Sequence, residues 1–389
     1  NENGRTPGPS FWSWLPPPSG DETETIISEI EIQPLKQASP SPLQGKPIIE
    51  KEREFNVLSI PIESSFSPLP PLQSFLEVSP VETSHSEAEH EIEVEFSTHA
   101  SEAVDALTSN PDQNHPSAGV NPDGTRWWKE TGVEERSDGV ICKWTLTRGI
   151  SADSTVEWEN KYWEAADELG YRELGSEKSG RDAYGNVWRE HWKESLSAVD
   201  GTVSHISKTA DKWGKNAGGE EWQEQWWEHY HSSGQAEKWA HKWCSIDPNT
   251  PVDPGHAHVW HERWGEMYDG QGGSTKYTDK WAERKEGEGE EEEKWSKWGD
   301  KWDERFDRNG HGVRQGEKWW EGRDGERWRR TWGEGHNGTG WVHKYGMSSS
   351  GDEHWDEHVE EETWYERFPH FGFENCVENS VQLREVEAP

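Results

Sequence analysis

The chain has 389 residues, with 77 Asp and Glu against 40 Lys and Arg, and its formal net charge is −37 at pH 7. This charge disfavours nucleic acid and anionic membrane surfaces as partners, because both are bound mainly through Lys and Arg. No run of about 18 apolar residues occurs, so the sequence predicts no membrane span.

Residues 1–120 come first in chain order and are predicted to form a disordered, acidic, Pro- and Ser-rich arm. Their proline clusters and the acidic stretch from Glu82 to Glu95 leave too little apolar surface to offset the entropy of ordering. Two patches could order on contact with a partner: residues 11–15, and residues 90–96, whose alternation is typical of a strand. A solvated linker is the favoured interpretation of both.

Residues 121–375 are predicted to be one Trp-rich domain, followed by a C-terminal tail at 376–389. Of the 28 Trp, 26 lie between Trp127 and Trp364, whereas residues 121–368 contain only 4 Leu, 4 Ile and 11 Val. An ordinary aliphatic core cannot be built from this inventory. Turn-forming pairs such as Asp200-Gly201, Asn309-Gly310 and Asp324-Gly325 recur mostly every 13 to 17 residues, the length of a strand plus a tight turn.

Between the turns, the phrase W-x-[DE]-x-W-x-[DE] recurs four times, beginning at Trp188, Trp222, Trp260 and Trp298. In a strand, the Trp and the acids of one phrase share a face, whereas a helix would scatter them. The predicted fold class is therefore all-β: an extended antiparallel sheet of repeated Trp-rich strands and hairpins. Short helices are the alternative, most plausibly at residues 281–306. Doublets such as Trp127-Trp128 and Trp226-Trp227 would place an indole on each face.

Indole rings beside carboxylates on one face suit a sugar polymer, because the rings stack on apolar sugar faces while the acids accept from hydroxyls. Such contacts add up along a polymer. The alternative is that the Trp ladders only hold the sheet together, as a scaffold for protein partners. The candidate glucan-binding residues are Trp188, Glu190, Trp192, Trp222, Glu224, Trp226, Tyr230, Trp239, Trp243, Trp260, Glu262, Trp264, Tyr268, Trp298, Asp300, Trp302, Trp319, Trp328, Trp332 and Trp341.

No catalytic residue, cofactor or metal site is predicted. Glycosidases use a pair of carboxylates, and this chain has many. A catalytic acid needs a raised pKa in one distinctive environment, whereas the acids here recur in similar copies of the phrase. A glycoside hydrolase is therefore the least favoured interpretation. His256, His258 and His261 could meet a metal, yet within a Trp strand they more simply serve as hydrogen-bond donors. The three cysteines are far apart in sequence and predict no disulfide.

Several stretches resemble the plant early-starvation and like-early-starvation proteins. They include residues 127–139, which begin Trp-Trp-Lys-Glu-Thr-Gly, residues 239–244 (Trp-Ala-His-Lys-Trp-Cys), residues 332–337 (Trp-Gly-Glu-Gly-His-Asn) and residues 368–373 (Phe-Pro-His-Phe-Gly-Phe). The resemblance covers residues 125–385 and leans to the like-early-starvation branch, because a long amino-terminal extension is present and a Pro-rich tail is absent.

The resemblance implies a plastid protein of the chloroplast stroma and starch granule, without enzyme activity. Its implied partners are starch glucan chains, amylopectin and also amylose, together with other proteins of starch metabolism. It also implies that the protein organises these chains into semicrystalline starch and limits their degradation. The family's aromatic residues carry over onto positions such as Trp222, Trp226, Trp260, Trp264, Trp298 and Trp302.

Overall fold

The computed structural model describes residues 81–108, 118–252, 256–286 and 294–387, with side chains from residue 92 onward. Within these residues the chain forms sixteen strands and three helices. The helices are α1 (Val81–Thr108), α2 (Phe373–Asn379) and α3 (Val381–Arg384). The strands are β1 (Ala118–Val120), β2 (Arg126–Glu135), β3 (Ile141–Ile150), β4 (Val156–Ala166), β5 (Tyr171–Asp182), β6 (Val187–Val199), β7 (Thr202–Lys215), β8 (Glu221–His231), β9 (Gln235–Ser245), β10 (Val259–Asp269), β11 (Ser274–Glu286), β12 (Lys294–Phe306), β13 (His311–Glu321), β14 (Arg327–Asn337), β15 (Trp341–Ser348) and β16 (His354–Glu360).

The strands belong to two compact units. The first unit contains β1 to β8, helix α1 from Glu87 onward, and helices α2 and α3, and the second contains β9 to β16. Within each unit, every strand pairs antiparallel with the next strand along the chain, as in β2–β3 and β10–β11. The predicted all-β class with an extended antiparallel sheet is confirmed.

The predicted turns end the strands where the sequence places them. Gly201, Gly310 and Gly325 adopt φ values of 77°, 77° and 87°, which a residue with a Cβ rarely adopts. The helical alternative for residues 281–306 is wrong for the described part of this stretch, because residues 281–286 belong to β11 and residues 294–306 to β12, and the two strands pair from Ser274↔Phe306 onward. Tight turns and strong cross-strand pairing outweigh the helix propensity of its Glu and Lys.

Helix α1 corrects the prediction for the end of the arm, where the Glu alternation of residues 90–96 suggested a strand. Ile92, Phe96, Ala100 and Ala103 are all buried, and their spacing of four, four and three residues places them on one face of a helix. The apolar period therefore determines the structure here, and the alternating acids do not. The predicted disorder of residues 1–80 and the patch at residues 11–15 lie outside the described residues.

In the first unit, α1 packs on one face of the sheet, here called the helix face. Phe96 meets Trp192 edge-on, with ring centroids 4.9 Å apart, and His99 stacks on the same indole at 4.1 Å. Ser380, at the start of α3, donates to Glu194 on this face. The helices and the helix face thus enclose one buried cluster, and a second cluster, built on Val140, Cys142, Trp163 and Ala165, lies on the opposite face of the sheet.

In the second unit, the chain after β16 crosses one face of the sheet, here called the tail face. Tyr365 stacks on Phe306 with ring centroids 4.6 Å apart, and its hydroxyl donates to the carbonyl of Gly272. Glu366 pairs with Lys276 on the same face. None of the helices in the described part of the chain is long and apolar enough to cross a membrane.

Candidate functional site

The recurring Trp phrase lies on even-numbered strands, and a complementary phrase lies on the odd-numbered strands between them. In β10, Trp260, Glu262 and Trp264 share the tail face. Directly opposite them in β11 stand the small or basic residues Ala282, Lys280 and Thr278. Across this strand pair a large residue therefore faces a small one, and an acid faces a base.

In the first unit this alternation produces a straight row of indoles across the helix face. Trp127, Trp158, Trp188 and Trp222 lie on β2, β4, β6 and β8, and one glycine of each intervening strand stands directly between two of them. These glycines are Gly149, Gly180 and Gly214. We call the four Trp the first indole row. Because strands are about 4.8 Å apart, neighbouring indoles of the row are about 10 Å apart.

The glycines allow the indoles to lie flat on the sheet. A Cβ added at Gly149 would stand 2.3 Å from an atom of the Trp158 ring, and one added at Gly214 would stand 2.8 Å from the Trp222 ring. The rings of Trp158 and Trp222 therefore cover the glycines of the neighbouring strands, and the ring of Trp127 covers Gly119 in the same way. All four side chains of the first indole row are partly exposed.

The second unit repeats the arrangement on its tail face. Trp264, Trp302, Trp332 and Trp355 lie on β10, β12, β14 and β16, separated by Thr278, Gly316 and Gly346. We call them the second indole row. Ring atoms of Trp332 and Trp355 lie 2.3 and 2.1 Å from the Cβ positions of Gly316 and Gly346. Trp264 is buried, and the other three are partly exposed.

Rows of alternating charge run between the aromatic rows. On the tail face, Lys280 approaches Glu262 at 3.4 Å, Lys318 approaches Asp300 at 3.3 Å, and Arg314 approaches Glu304 at 2.8 Å. The acids of the Trp phrase are thus neutralised by basic side chains of the neighbouring strands. Burial raises the pKa of Asp300, and the charge of Lys318 opposes that shift.

The phrase acids also accept hydrogen bonds from aromatic residues of their own strand. The indole of Trp192 donates to Glu190 at 2.5 Å, and that of Trp226 donates to Glu228 at 2.6 Å. Burial acts to raise the pKa of Glu190, but the contact with His99 and the charge of Lys212 outweigh it and bring that pKa to about 2. Glu190 is therefore ionised at neutral pH and fixes the ring of Trp192.

The predicted site residues fall into three groups by position. On the helix face of the first unit are Trp188, Glu190, Trp192, Trp222, Glu224, Trp226 and Tyr230. On the tail face of the second unit are Trp260, Glu262, Trp264, Tyr268, Trp298, Asp300, Trp302, Trp328 and Trp332. On the face of the second unit opposite the tail face are Trp239, Trp243, Trp319 and Trp341.

Burial separates these residues further. Trp226 and Trp298 are 0% exposed, and Trp192 and Tyr230 are almost as deeply buried. Trp188, Trp222, Trp302 and Trp332 are partly exposed, and Trp341 is 50% exposed. A sugar can stack only on an indole that has a free face, so the accessible members of the two rows form the stronger candidate surface.

Sequence reasoning missed Trp127, Trp158 and Trp355, which belong to the rows but not to the repeated phrase. The sequence signal for them is strand register. When two neighbouring strands are aligned by counting back from the turn between them, each of these Trp stands opposite a glycine. It also missed Trp281, which stacks on His261 with ring centroids 4.4 Å apart.

The three histidines considered as metal ligands have other contacts. The Nδ1 of His258 accepts from the backbone N–H of Lys285 at 3.0 Å, and its Nε2 lies 2.9 Å from the Thr250 carbonyl. His261 stacks on Trp281. In the described residues, one potential metal-ligand group occurs elsewhere, at His343, Asp356 and His358.

Comparison with known proteins decides the family. The family model described as "Like early starvation, chloroplastic" matches residues 119–372. The chain belongs to the like-early-starvation family. It is 58% identical over 99% of its length to Protein LIKE EARLY STARVATION, chloroplastic, of Arabidopsis thaliana. It is 47% identical over 70% of its length to Protein EARLY STARVATION 1, chloroplastic, of Marchantia polymorpha, and 42% identical over 73% to the Arabidopsis thaliana protein of that name.

The family model and the identities favour the like-early-starvation branch, and the names of the relatives confirm the predicted plastid localisation. The chain spans 66%, 44% and 62% of the length of these three relatives. No solved structure matches the chain.

Proposed function

We propose that this protein binds α-glucan chains of starch without cleaving them, and that it holds several chains in order. The observation that carries the proposal is the pair of indole rows, in which all members but Trp264 are partly exposed and several rings lie against glycines of the neighbouring strands. The names of the relatives contain the words early starvation and chloroplastic. Starch is the reserve glucan of the chloroplast.

A flat indole with one free face suits the apolar face of a glucose ring. Each such contact contributes about 1–3 kcal/mol if aromatic stacking on nucleobases is a fair guide. A row of four contacts engages one polymer at several points, so the contacts reinforce one another through effective concentration. A long or ordered array of glucan chains is therefore preferred over a short oligosaccharide.

The ion pairs between the aromatic rows give the surface rigidity. Glu262 and Asp300 are held by Lys280 and Lys318, and these pairs keep the strands in register. In our proposal, sugar hydroxyls reach the exposed edges of such pairs, whereas the buried acids only orient the indoles. Binding energy is then not spent on ordering the protein surface.

The absence of catalysis belongs to the proposal and needs its own test. Burial raises the pKa of Asp303 to about 6, with the hydrogen bond from Gln315 opposing the shift. A carboxyl of this kind could serve a glycosidase as general acid. Release of soluble sugar is therefore the readout that separates a glucan-binding protein from a glucan-cleaving enzyme.

A second candidate function is a protein-interaction scaffold whose Trp are structural. The observation in its favour is the complete burial of Trp226 and Trp298. Those two rings contribute to stability whichever function is right, because a fully buried aromatic side chain contributes several kcal/mol.

The test is co-sedimentation of the full chain with granular starch, amylopectin and crystalline cellulose, with soluble sugar measured in the supernatant. We expect retention by both starch forms, weaker retention by cellulose, and no sugar release. No retention by either starch form would overturn the glucan proposal and favour the scaffold. If the parent releases sugar and an Asp303→Asn variant does not, the protein is instead an enzyme.

A further inference from the structure

A cluster of metal-ligating side chains lies at the edge of the second unit, on the face opposite the second indole row. His343 is on β15, and Asp356 and His358 are on β16, which is the last strand of the sheet in the described residues. His343 stands directly opposite His358 in the register. All three point to the face opposite the tail face, because Val342 and Val359, one position along each strand, point to the tail face.

The three side chains converge closely. The Nε2 of His343 is 2.9 Å from the Oδ1 of Asp356, and the imidazoles of His343 and His358 stack in parallel with centroids 4.3 Å apart. One ligand atom from each residue lies within 4.8 Å of the others. The side chains of His343 and Asp356 are 39% and 60% exposed, so an ion can enter from solvent.

Two imidazoles and one carboxylate form a donor set that suits divalent transition metals, zinc among them. Tetrahedral ligands about 2.0–2.1 Å from zinc lie about 3.3 Å from one another. The His343–Asp356 distance is already near that value, and exposed side chains can close the remaining gap by small rotamer changes. His354 adds a further imidazole on the same face of β16, two residues before Asp356.

Charge also favours a cation at this place. The carboxylate of Asp356 brings a negatively charged ligand to the cluster, and its side chain is 60% exposed. An entering ion would displace the hydrogen bond between His343 and Asp356, and a proton carried on either ligand atom would leave to solvent.

We propose that His343, Asp356 and His358 form a binding site for a divalent transition-metal ion, with zinc as the ion to test. The ion ties β16 to β15 through bonds that the backbone pairing alone does not provide. An edge strand has unpaired backbone groups on one side and opens most easily, so the site stabilises the part of the sheet that needs it most. No metal site was predicted here, because these ligands lie on two strands and only the register of β15 and β16 brings them together.

The experiment is a titration of the full metal-free chain with zinc chloride, followed by calorimetry, in His343→Ala and His358→Ala variants and the parent. His311→Ala is the matched control, because His311 is an exposed histidine of the same unit outside the cluster. We expect one saturable site in the parent and in His311→Ala. Each cluster variant should lose at least about tenfold in affinity, which even loss of an outer-shell partner can produce.

A second readout is the visible absorption of bound cobalt. The parent should give the intense band of a low-coordinate histidine site, and His358→Ala should lose it while its far-UV circular dichroism stays unchanged. The proposal is overturned if the parent shows no saturable binding, or if both cluster variants bind zinc as tightly as His311→Ala.

Discussion

At the scale of single residues, the position that matters most is the small residue beneath each indole. Gly316 stands directly between Trp302 and Trp332, and a Cβ there would lie 2.3 Å from the ring of Trp332. The distance is far below van der Waals contact, so either the ring or the strand must move. The position of such an indole ring therefore depends on the glycine of the neighbouring strand as much as on the burial of the ring itself.

We predict that Gly316→Ala lowers the free energy of unfolding by about 1–3 kcal/mol, the usual cost of overpacking. The matched control is Gly335→Ala on the adjacent strand, where the nearest atom to an added Cβ is 3.9 Å away. Urea unfolding followed by Trp fluorescence measures both. Equal effects of the two variants would contradict the role assigned to the glycine.

Two contacting histidines make the second unit sensitive to acid. Burial, with the charges of His261 and Arg263, lowers the pKa of His241 to about 3, and burial with Arg263 lowers that of His261 to about 4. Below about pH 6.5 the unfolded chain binds protons that the folded chain does not. The free energy of unfolding therefore falls as pH decreases from about 6.5 towards 4. Asp303, with its raised pKa, acts in the opposite direction below about pH 6.

The prediction is that His241→Gln flattens this pH dependence. At about pH 5 the buried neutral His241 costs up to about 2 kcal/mol relative to pH 7, and the variant should recover that amount. Urea midpoints at the two pH values, compared with those of His311→Gln, measure it. An unchanged slope in His241→Gln would show that this histidine titrates normally in the folded chain.

At the scale of elements, helix α1 is joined to the first unit by a buried charge network. Lys208 on β7 is 1% exposed and lies 2.8 Å from Glu93 of α1 and 3.3 Å from Glu194 of β6. Removing the cation would leave Glu194 buried without its main partner, which is the costly way to break a buried pair.

Lys208→Met should therefore lower the free energy of unfolding by about 3–5 kcal/mol. Lys143→Met is the control, because Lys143 is 49% exposed and its pair with Glu164 should contribute at most about 1 kcal/mol. Chemical denaturation of both variants gives the comparison. A loss in Lys208→Met no greater than that of the control would show that α1 is held by its apolar face alone.

Much of the element pattern could be predicted from the sequence. The tight turns, the strands and the common face of Trp260, Glu262 and Trp264 follow from turn dipeptides and the period of two. Register can be read only by aligning neighbouring strands from each turn, and the repeated phrase alone does not align them. The glycine–indole rows, which are a property of register, were therefore missed. Helix α1 was missed because its acids alternate while its apolar residues follow the helical period.

At the scale of the whole molecule, the net charge of −37 coexists with sheets whose inner acids are paired with basic residues. The excess of acidic over basic residues repels polyanions. A neutral polysaccharide meets no such repulsion, which fits the proposed partner.

We accordingly predict that retention on starch is insensitive to salt. Raising sodium chloride tenfold should leave the bound fraction unchanged within about twofold, because no counterions are released when a neutral polymer binds. Co-sedimentation over a salt series checks this. A steep loss of binding at high salt would mean that charged groups on the granule, and not sugar rings, are recognised.

The most direct test of the central claim removes two neighbours of the first indole row. Trp158→Ala with Trp188→Ala is compared with Trp364→Ala, an indole that is 61% exposed but belongs to no row. The affinity for amylopectin should fall at least about tenfold in the row variant, with far-UV circular dichroism preserved, because two stacking contacts are lost. Trp364→Ala should bind as the parent does. Unchanged binding by a folded row variant would contradict the account.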